Sequence, residues 1–200
     1  FYTLRLATYD PSYSLYISLV INDNKNSMVA DKGLVIVFTG QGKGKTTAAL
    51  GIALRASGYG RKTVIVQFLK GKEGSGEQFA GNHSLIEVHA FGAGFFKPGD
   101  DPEPQKKAAA DGWKMAEDII SSGNADILVL DEISHAVNYR LLPLEIVLAA
   151  IRRRRPGLHI VLTGRDMPDA LMEIADIATE MKEVRHIYQR GGPAVKGIDY

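Results

Sequence analysis

Two clusters of residues, far apart in the chain, are of the types that handle a magnesium-bound polyphosphate. The first is Thr39-Gly40-Gln41-Gly42-Lys43-Gly44-Lys45-Thr46-Thr47. Glycines at 40, 42 and 44 let backbone N–H groups turn toward an anion with no Cβ in the way. Lys45 can supply a point charge to the outer phosphates, and the Thr46 hydroxyl is of the kind that ligates Mg²⁺. The stretch Gly40, Gln41, Gly42, Lys43, Gly44, Lys45, Thr46 and Thr47 is therefore read as a nucleotide-binding loop. It departs from the usual pattern G-x-x-x-x-G-K-[ST] in having Thr39 at the place of the first glycine, with Gly40 one residue later. The second cluster is Asp131-Glu132, where one carboxylate can hold Mg²⁺ opposite the loop threonine. Spacing alone leaves open which of the two does so. Arg165 is a candidate for neutralising phosphate charge, and equally a candidate for a surface ion pair. Phe95 and Phe96, in a glycine-rich irregular stretch, suit contact with a large flat ligand better than a core.

These residues need elements to hold them. Leu34 to Phe38 is an apolar run that predicts a buried strand before the glycine loop. The sequence after the loop predicts a helix with Leu50, Ala53 and Leu54 on one face, ended by Ser57 to Gly60, where glycines can cap it. Thr63 to Leu69 predicts a second buried strand, and Ile86 to Phe91 a weaker one. Lys70 to Glu77 and Gly92 to Pro104 read as loops. Gln105 to Ser121 has the spacing of an amphipathic helix, with Ala109, Trp113, Ala116 and Ile120 on its core face. Ile127 to Leu130 is a strand that ends in Asp131-Glu132. A helix entered through Pro143 carries Leu144, Val147, Leu148 and Ile151. It runs into Arg152 to Arg155 and stops at Pro156-Gly157. Ile160 to Leu162 is a strand ending in Thr163-Gly164-Arg165; Asp169 to Ala175 reads as a helix and Val184 to Tyr188 as a last short strand. Alternating strands and helices imply a mainly parallel sheet covered on both faces, a three-layer α/β fold. Ligands then sit at the carboxyl ends of the strands. The glycine loop, Asp131-Glu132 and Thr163 to Arg165 all fall at such ends.

Composition narrows the function. The chain of 200 residues suits one α/β domain with or without a tail, and 45% hydrophobic residues can build a core. A net charge of +1 gives no general attraction to nucleic acid or anionic lipid. The Arg152 to Arg155 run sits at a helix C-terminus, where cations offset the macrodipole, and reads as a solvated helix end. No cysteine is present, which excludes thiolate chemistry and fits a reducing cytoplasm. No apolar run reaches the about 18 residues needed to cross a membrane. The histidines at 83, 89, 135, 159 and 186 show no H-x-x-x-H spacing and read as surface or core residues, not zinc ligands. Residues 1–27 are rich in Tyr and Ser and low in charge. They read as an atypical leader, non-native or disordered, ahead of a natural start at Met28 and a single domain over 28–200; a processed targeting leader is the alternative.

Several stretches occur in order: G-Q-G-K-G-K-T-T-A-A from Gly40, V-Q-F-L-K-G from Val66, G-A-G-F from Gly92, V-L-D-E from Val129, L-T-G-R from Leu162 and a terminal K-G-I-D-Y. Together they resemble the P-loop type of ATP:corrinoid adenosyltransferase, the enzymes of cobalamin synthesis and salvage, over about Gly33 to Tyr200. The late glycine of the loop is itself typical of that family. The resemblance implies a P-loop NTPase-like fold and transfer of the 5′-deoxyadenosyl group of ATP to the cobalt(I) of a corrinoid, with release of triphosphate. It implies Lys45, Thr46 and Glu132 as catalytic residues. It further implies Mg²⁺ or Mn²⁺ on Thr46 and Glu132 with Asp131 nearby, and corrinoid contact at Phe95 and Phe96. A homodimer served by a reduced flavoprotein follows from the same resemblance. Two departures stand out. Lys97 occupies a place where many relatives have Trp, and the leader is unlike the polar helical N-terminus of some relatives. The other readings the residues allow are a P-loop ATPase or small-molecule kinase, a binding module without turnover, and a nucleic-acid binder acting through the arginine run.

Overall fold

The structure is a computed structural model that describes residues 32–71, 76, 84–93 and 101–198. The leader at 1–27, Met28 and the Phe95-Phe96 pair lie outside the described residues. Among the described residues the strands are β1 (Val35–Thr39), β2 (Thr63–Gln67), β3 (Ile86–Ala90), β4 (Ile127–Asp131), β5 (His159–Thr163) and β6 (Ile177–Glu180). They form one sheet in the order β3-β2-β4-β5-β1-β6, and every pairing is parallel. The helices are α1 (Lys45–Ser57), α2 (Glu103–Ser122), α3 (Ile133–Asn138), α4 (Leu144–Arg152) and α5 (Asp169–Glu173), with a 3₁₀ turn at Ile187–Arg190.

The apolar strands are continuous because both faces of the sheet are covered. Successive side chains point to opposite faces, and the two sets pack on different helices. Val35, Val37, Val64, Val66, Leu128, Leu130, Ile160 and Leu162 pack with Trp113, Ala116 and Ile120 of α2 and with Val147 and Ile151 of α4. Ile36, Ile65, Val129 and Val161 pack on Ala49, Ala53 and Ala56 of α1. The result is a helix–sheet–helix sandwich, the expected three-layer fold, with Trp113 in its core as expected. Truncating a fully buried member such as Leu128 to alanine costs about 2–5 kcal/mol.

Four details differ from the sequence reading. On α1 the buried stripe is alanine, and Leu54 is 61% exposed; small residues let this helix lie close to the sheet and turn its leucines toward a cleft. The last strand is Ile177–Glu180, not Val184 to Tyr188. It is an exposed edge strand held by backbone pairing to β1, so no burial pattern marks it. The helix α3 was not expected from the sequence. The arginine run is not simply a solvated helix end: the Arg154 guanidinium is buried and donates to the carbonyls of Gly33 at 2.7 Å and Ile151 at 3.0 Å. Arg155 donates to the carbonyls of Ala125 and Gly123. No helix among the described residues is long and apolar enough to cross a membrane.

Candidate active site

The carboxyl ends of β1, β2, β4 and β5 meet at Asp131. This carboxylate is completely buried, yet it is reached by three donors. The Thr46 hydroxyl donates to Oδ1 at 2.8 Å, the Thr163 hydroxyl donates to the same oxygen at 2.7 Å, and the Gln67 amide donates to Oδ2 at 3.1 Å. Sheet register explains the convergence. Gln67 and Asp131 are paired across β2 and β4, and β5, carrying Thr163, lies between β4 and β1. Thr46 arrives from the first turn of α1. Thr163 also accepts from the Glu132 N–H at 2.9 Å. Burial pushes the Asp131 carboxyl above its ordinary range, and the Lys70 charge and the two hydroxyl bonds only partly offset this.

The glycine loop leads into α1 through Gly44, at φ 117°, a conformation that only glycine adopts easily. α1 has neither a side-chain N-cap nor an acidic residue in its first turn. Its N-terminal positive potential is thus left for a ligand anion. Lys45 is buried, and its ammonium donates to the carbonyls of Gly40 and Gly42, each at 2.8 Å. Desolvation lowers its pKa; Glu132, Asp131 and Asp166 pull the other way, and Arg165 adds to the lowering. Gly40 and Gly42 have a role that phosphate binding alone does not suggest. A Cβ at either would come within 2.5 and 2.7 Å of the Met181 carbonyl oxygen. The Gly42 N–H donates to that oxygen at 2.7 Å, so the segment after β6 seats on the loop.

Glu132 is the N-cap of α3 and sits in the left-handed region, φ 62°. Its side chain faces the cleft while its Oε2 lies 2.5 Å from His135 Nδ1. Burial would raise its pKa, but His135 and then the Lys45 and Lys70 charges outweigh that and hold it below the ordinary glutamate value. Thus the two adjacent carboxylates shift in opposite directions. Asp131 is locked behind Thr46, and Glu132 stays ionised at the surface of the cleft. Two carboxylates and a threonine hydroxyl suit a small hard cation that takes its remaining ligands from phosphate and water. Among the described residues no group of three or more His, Cys, Asp or Glu is placed to hold a metal by itself.

The cleft has a volume of about 1020 Å³ and is lined by Gln41 to Thr47, Lys70, Glu132 and Arg165. Its other wall is apolar, with Leu50, Leu54, Ile86, Val88 and Ile198. The structure therefore brings the loop, Asp131, Glu132 and Arg165 together. Arg165 is exposed, and its backbone carbonyl accepts from the Ser134 hydroxyl at 2.5 Å. Gln41 bonds across the mouth to Asp166 at 2.9 Å. The expected corrinoid contacts Phe95 and Phe96 fall outside the described residues. Sequence reasoning missed Gln67, His135 and Met181. Only the strand-end position of Gln67 carried a signal.

A glycine loop between a parallel strand and a helix, opposite a strand-end carboxylate pair, defines a P-loop nucleotide-binding protein. The flagellar accessory protein FlaH from Methanocaldococcus jannaschii shares the fold, with a TM-score of 0.52 at 12% identity over 80% of this chain and 76% of that one. The family itself is given by closer relatives. Residues 31–200 match the family model described as ATP:corrinoid adenosyltransferase BtuR/CobO/CobP. The corrinoid adenosyltransferase of Escherichia coli K12 is 37% identical over 170 residues, 85% of this chain and 87% of that one. The corrinoid adenosyltransferase CobA of Salmonella typhimurium is 35% identical over 184 residues, 90% of this chain and 94% of that one. The chain belongs to the ATP:corrinoid adenosyltransferase family.

Proposed function

We propose that this chain transfers the 5′-deoxyadenosyl group of ATP to the cobalt(I) of a corrinoid, with 28–200 as the transferase domain. In the reaction the substrate's cobalt(I) attacks C5′. The cobalt–carbon bond forms with the metal's electron pair, and the C5′–O bond breaks with its pair leaving on triphosphate. No general base is required, because the nucleophile carries no proton. What the protein must do is hold C5′ in line and stabilise charge on the departing oxygen. The observation that carries the assignment to this cleft is the strand-end cluster, in which Lys45, Thr46, Asp131 and Glu132 meet beside an apolar wall.

Each residue has a task in this reading. The α1 N-terminus and the loop amides that face the cleft bind triphosphate. Lys45 exchanges its two carbonyl partners for phosphate oxygens, and Arg165 adds charge at the rim. Thr46 and Glu132 would hold Mg²⁺ or Mn²⁺, with Asp131 fixing the Thr46 hydroxyl from behind. Such a cation neutralises charge on the leaving triphosphate. The apolar wall takes the uncharged part of the substrates, and Phe95 and Phe96 contact the corrinoid. The same reading includes a homodimer, a reduced flavoprotein as electron donor and a cytoplasmic setting.

The test is anaerobic. Purified protein is mixed with Mg-ATP and chemically reduced cob(I)alamin; the cobalt–carbon product is followed by absorbance and the inorganic product by ion chromatography. Adenosylated corrinoid with stoichiometric triphosphate is expected. Phosphate or ADP without a corrinoid product would instead indicate an ATPase or kinase.

A further inference from the structure

We propose that His135 is the positioning residue for Glu132: it fixes one carboxylate oxygen so that Glu132 presents only the other to the cation on the triphosphate. This rests on the reading of Glu132 as a cation ligand. Three observations carry it. First, His135 Nδ1 and Glu132 Oε2 are 2.5 Å apart. Both atoms are buried away from solvent, and neither makes an aligned hydrogen bond to any described residue, so each is the other's close polar contact. A buried polar atom without a partner costs about 1–3 kcal/mol, and at this separation a small turn of the ring aligns an Nδ1–H on Oε2 and satisfies both. Second, the ring cannot easily turn away. It lies on the short helix that Glu132 itself caps, and packs against Tyr139 with centroids 5.8 Å apart. Third, the Glu132 backbone is fixed as well, by its left-handed conformation and by its N–H bond to Thr163.

The contact needs an N–H on Nδ1, which the neutral ring can carry and the cation always carries. It therefore works in either charge state. Its consequence is coordination by a single oxygen. That suits a small cation demanding near-octahedral geometry, whereas a carboxylate with both oxygens available also serves larger ions. Outer partners of this kind change metal affinity by about 10–100-fold.

The test compares the affinity for ATP with Mg²⁺ and with EDTA, by calorimetry on the full chain without corrinoid. The ratio of the two measures how strongly cation and nucleotide help each other bind. His135→Phe keeps a ring against Tyr139 but has no donor. It should lower the ratio about 10-fold with ATP affinity in EDTA unchanged. His135→Leu is a second variant without a donor and carries the same expectation. His135→Gln, whose amide can donate, should retain most of the wild-type ratio. A wild-type ratio in His135→Phe, with the ratio lost in Glu132→Gln, would overturn the positioning role and leave Glu132 as a ligand. An equal loss of ATP affinity in EDTA would mean that His135 only supports the fold of the loop. A wild-type ratio in Glu132→Gln would overturn the cation-ligand reading and the proposal together.

Discussion

The two ends of the parallel sheet use polar side chains in opposite ways. At the carboxyl end, polar residues are buried whole: Thr39, Lys45, Gln67, Asp131, Ser134 and Thr163 are every such residue described except Thr63, and Thr46, Gln67 and Thr163 converge on the Asp131 carboxylate. At the amino end no charged residue described is buried whole in this way, and side chains satisfy the backbone groups of the strand ends. Asp176 accepts from the Val35 N–H at 2.8 Å, Asp126 accepts from the Lys62 N–H at 2.8 Å, His159 accepts from the Leu34 N–H at 3.1 Å, and Arg154 donates to the Gly33 carbonyl. Contacts of the second kind satisfy strand ends that would otherwise be open, and so favour folding. Contacts of the first kind place charge where water cannot reach it, which disfavours folding unless a ligand uses it. The amino end is thus built for stability, and the carboxyl end for chemistry.

Breaking the carboxyl end at the lysine of the glycine loop should give the greatest effect. Lys45→Ala removes the charge proposed to meet the phosphates and should lower kcat/KM for ATP about 1000-fold, in line with loss of one preorganised donor to a developing anion. The fold should survive, because the ammonium bonds only loop carbonyls. Steady-state adenosylation and a melting curve measured on one preparation check both halves. A large fall in Tm with modest loss of activity would reverse the contrast between the two ends.

Asp131→Asn tests the contrast more sharply, since activity and stability should move in opposite directions. Activity should fall about 100-fold, because the Thr46 hydroxyl loses a charged anchor behind the proposed cation site. Stability without ligand should rise by about 1 kcal/mol, roughly 2–4 °C in Tm. Asparagine can still accept from Thr46 and Thr163. Its new N–H group would face Gln67, whose Oε1 is a buried acceptor with no partner among the described residues and comes into place when that amide turns over. The pH dependence has a definite sign. Burial raises the folded pKa of Asp131 above its ordinary 3.8, so the folding penalty is absent below that value and grows as pH rises through the folded pKa. The advantage of Asn should be greatest above the folded pKa of Asp131 and vanish in acid. Thermal melts of both proteins across that range check it, and an advantage independent of pH would count against burial of the charge as its source.

Much of the carboxyl end could be read from the sequence because its key residues are neighbours in the chain. The loop glycines, Lys45 and Thr46 all lie in the one stretch Gly40 to Thr46, and Asp131-Glu132 closes an unbroken apolar strand. Those patterns also located the strands themselves. What could not be read depends on chain segments brought together by the sheet. Gln67 meets Asp131 across 64 residues and Thr163 meets it across 32. β6 is four exposed residues whose only marker is pairing with β1, whereas Val184 to Tyr188 has a strand-like composition but no partner strand in the sheet. The arginine run illustrates the same limit. Local reasoning placed it at a helix end, correctly for Arg152, but the acceptor of Arg154 lies 121 residues earlier.

Arg154→Met breaks the amino end. Its buried guanidinium ties the segment before β1 to the end of α4 and lies 4.0 Å from Asp176, which holds the first N–H of β1. Loss of a charged donor to buried carbonyls costs about 2 kcal/mol, or roughly 4–8 °C in Tm. The kcat should stay within about twofold of wild type, because the described partners of this side chain, Gly33, Ile151 and Asp176, all lie away from the strand carboxyl ends. A proportionate loss of kcat would show that the two ends are coupled through β1.

The smallest effect separates contacts at the amino end from one another. Lys62 and Glu87 approach to 2.7 Å, closer than Arg154 and Asp176, yet their side chains are 35% and 45% exposed. Distance alone would rank this pair first; exposure reverses the order. The hydrogen bond from Lys62 is the main reason the Glu87 carboxyl lies below its ordinary 4.5, so the pair's contribution is present above that value and disappears as pH falls through the folded pKa. Water and salt screen an exposed pair, which limits it to about 0–1 kcal/mol. Lys62→Met should therefore lower Tm by about 4 °C at most at neutral pH, and by nothing measurable in acid or at about 1 M salt, where the Debye length is near 3 Å. Melts at low and high salt decide the matter. A loss as large as that of Arg154→Met, unaffected by salt, would mean that the amino end is stabilised by its ion pairs rather than by the side chains that satisfy its backbone.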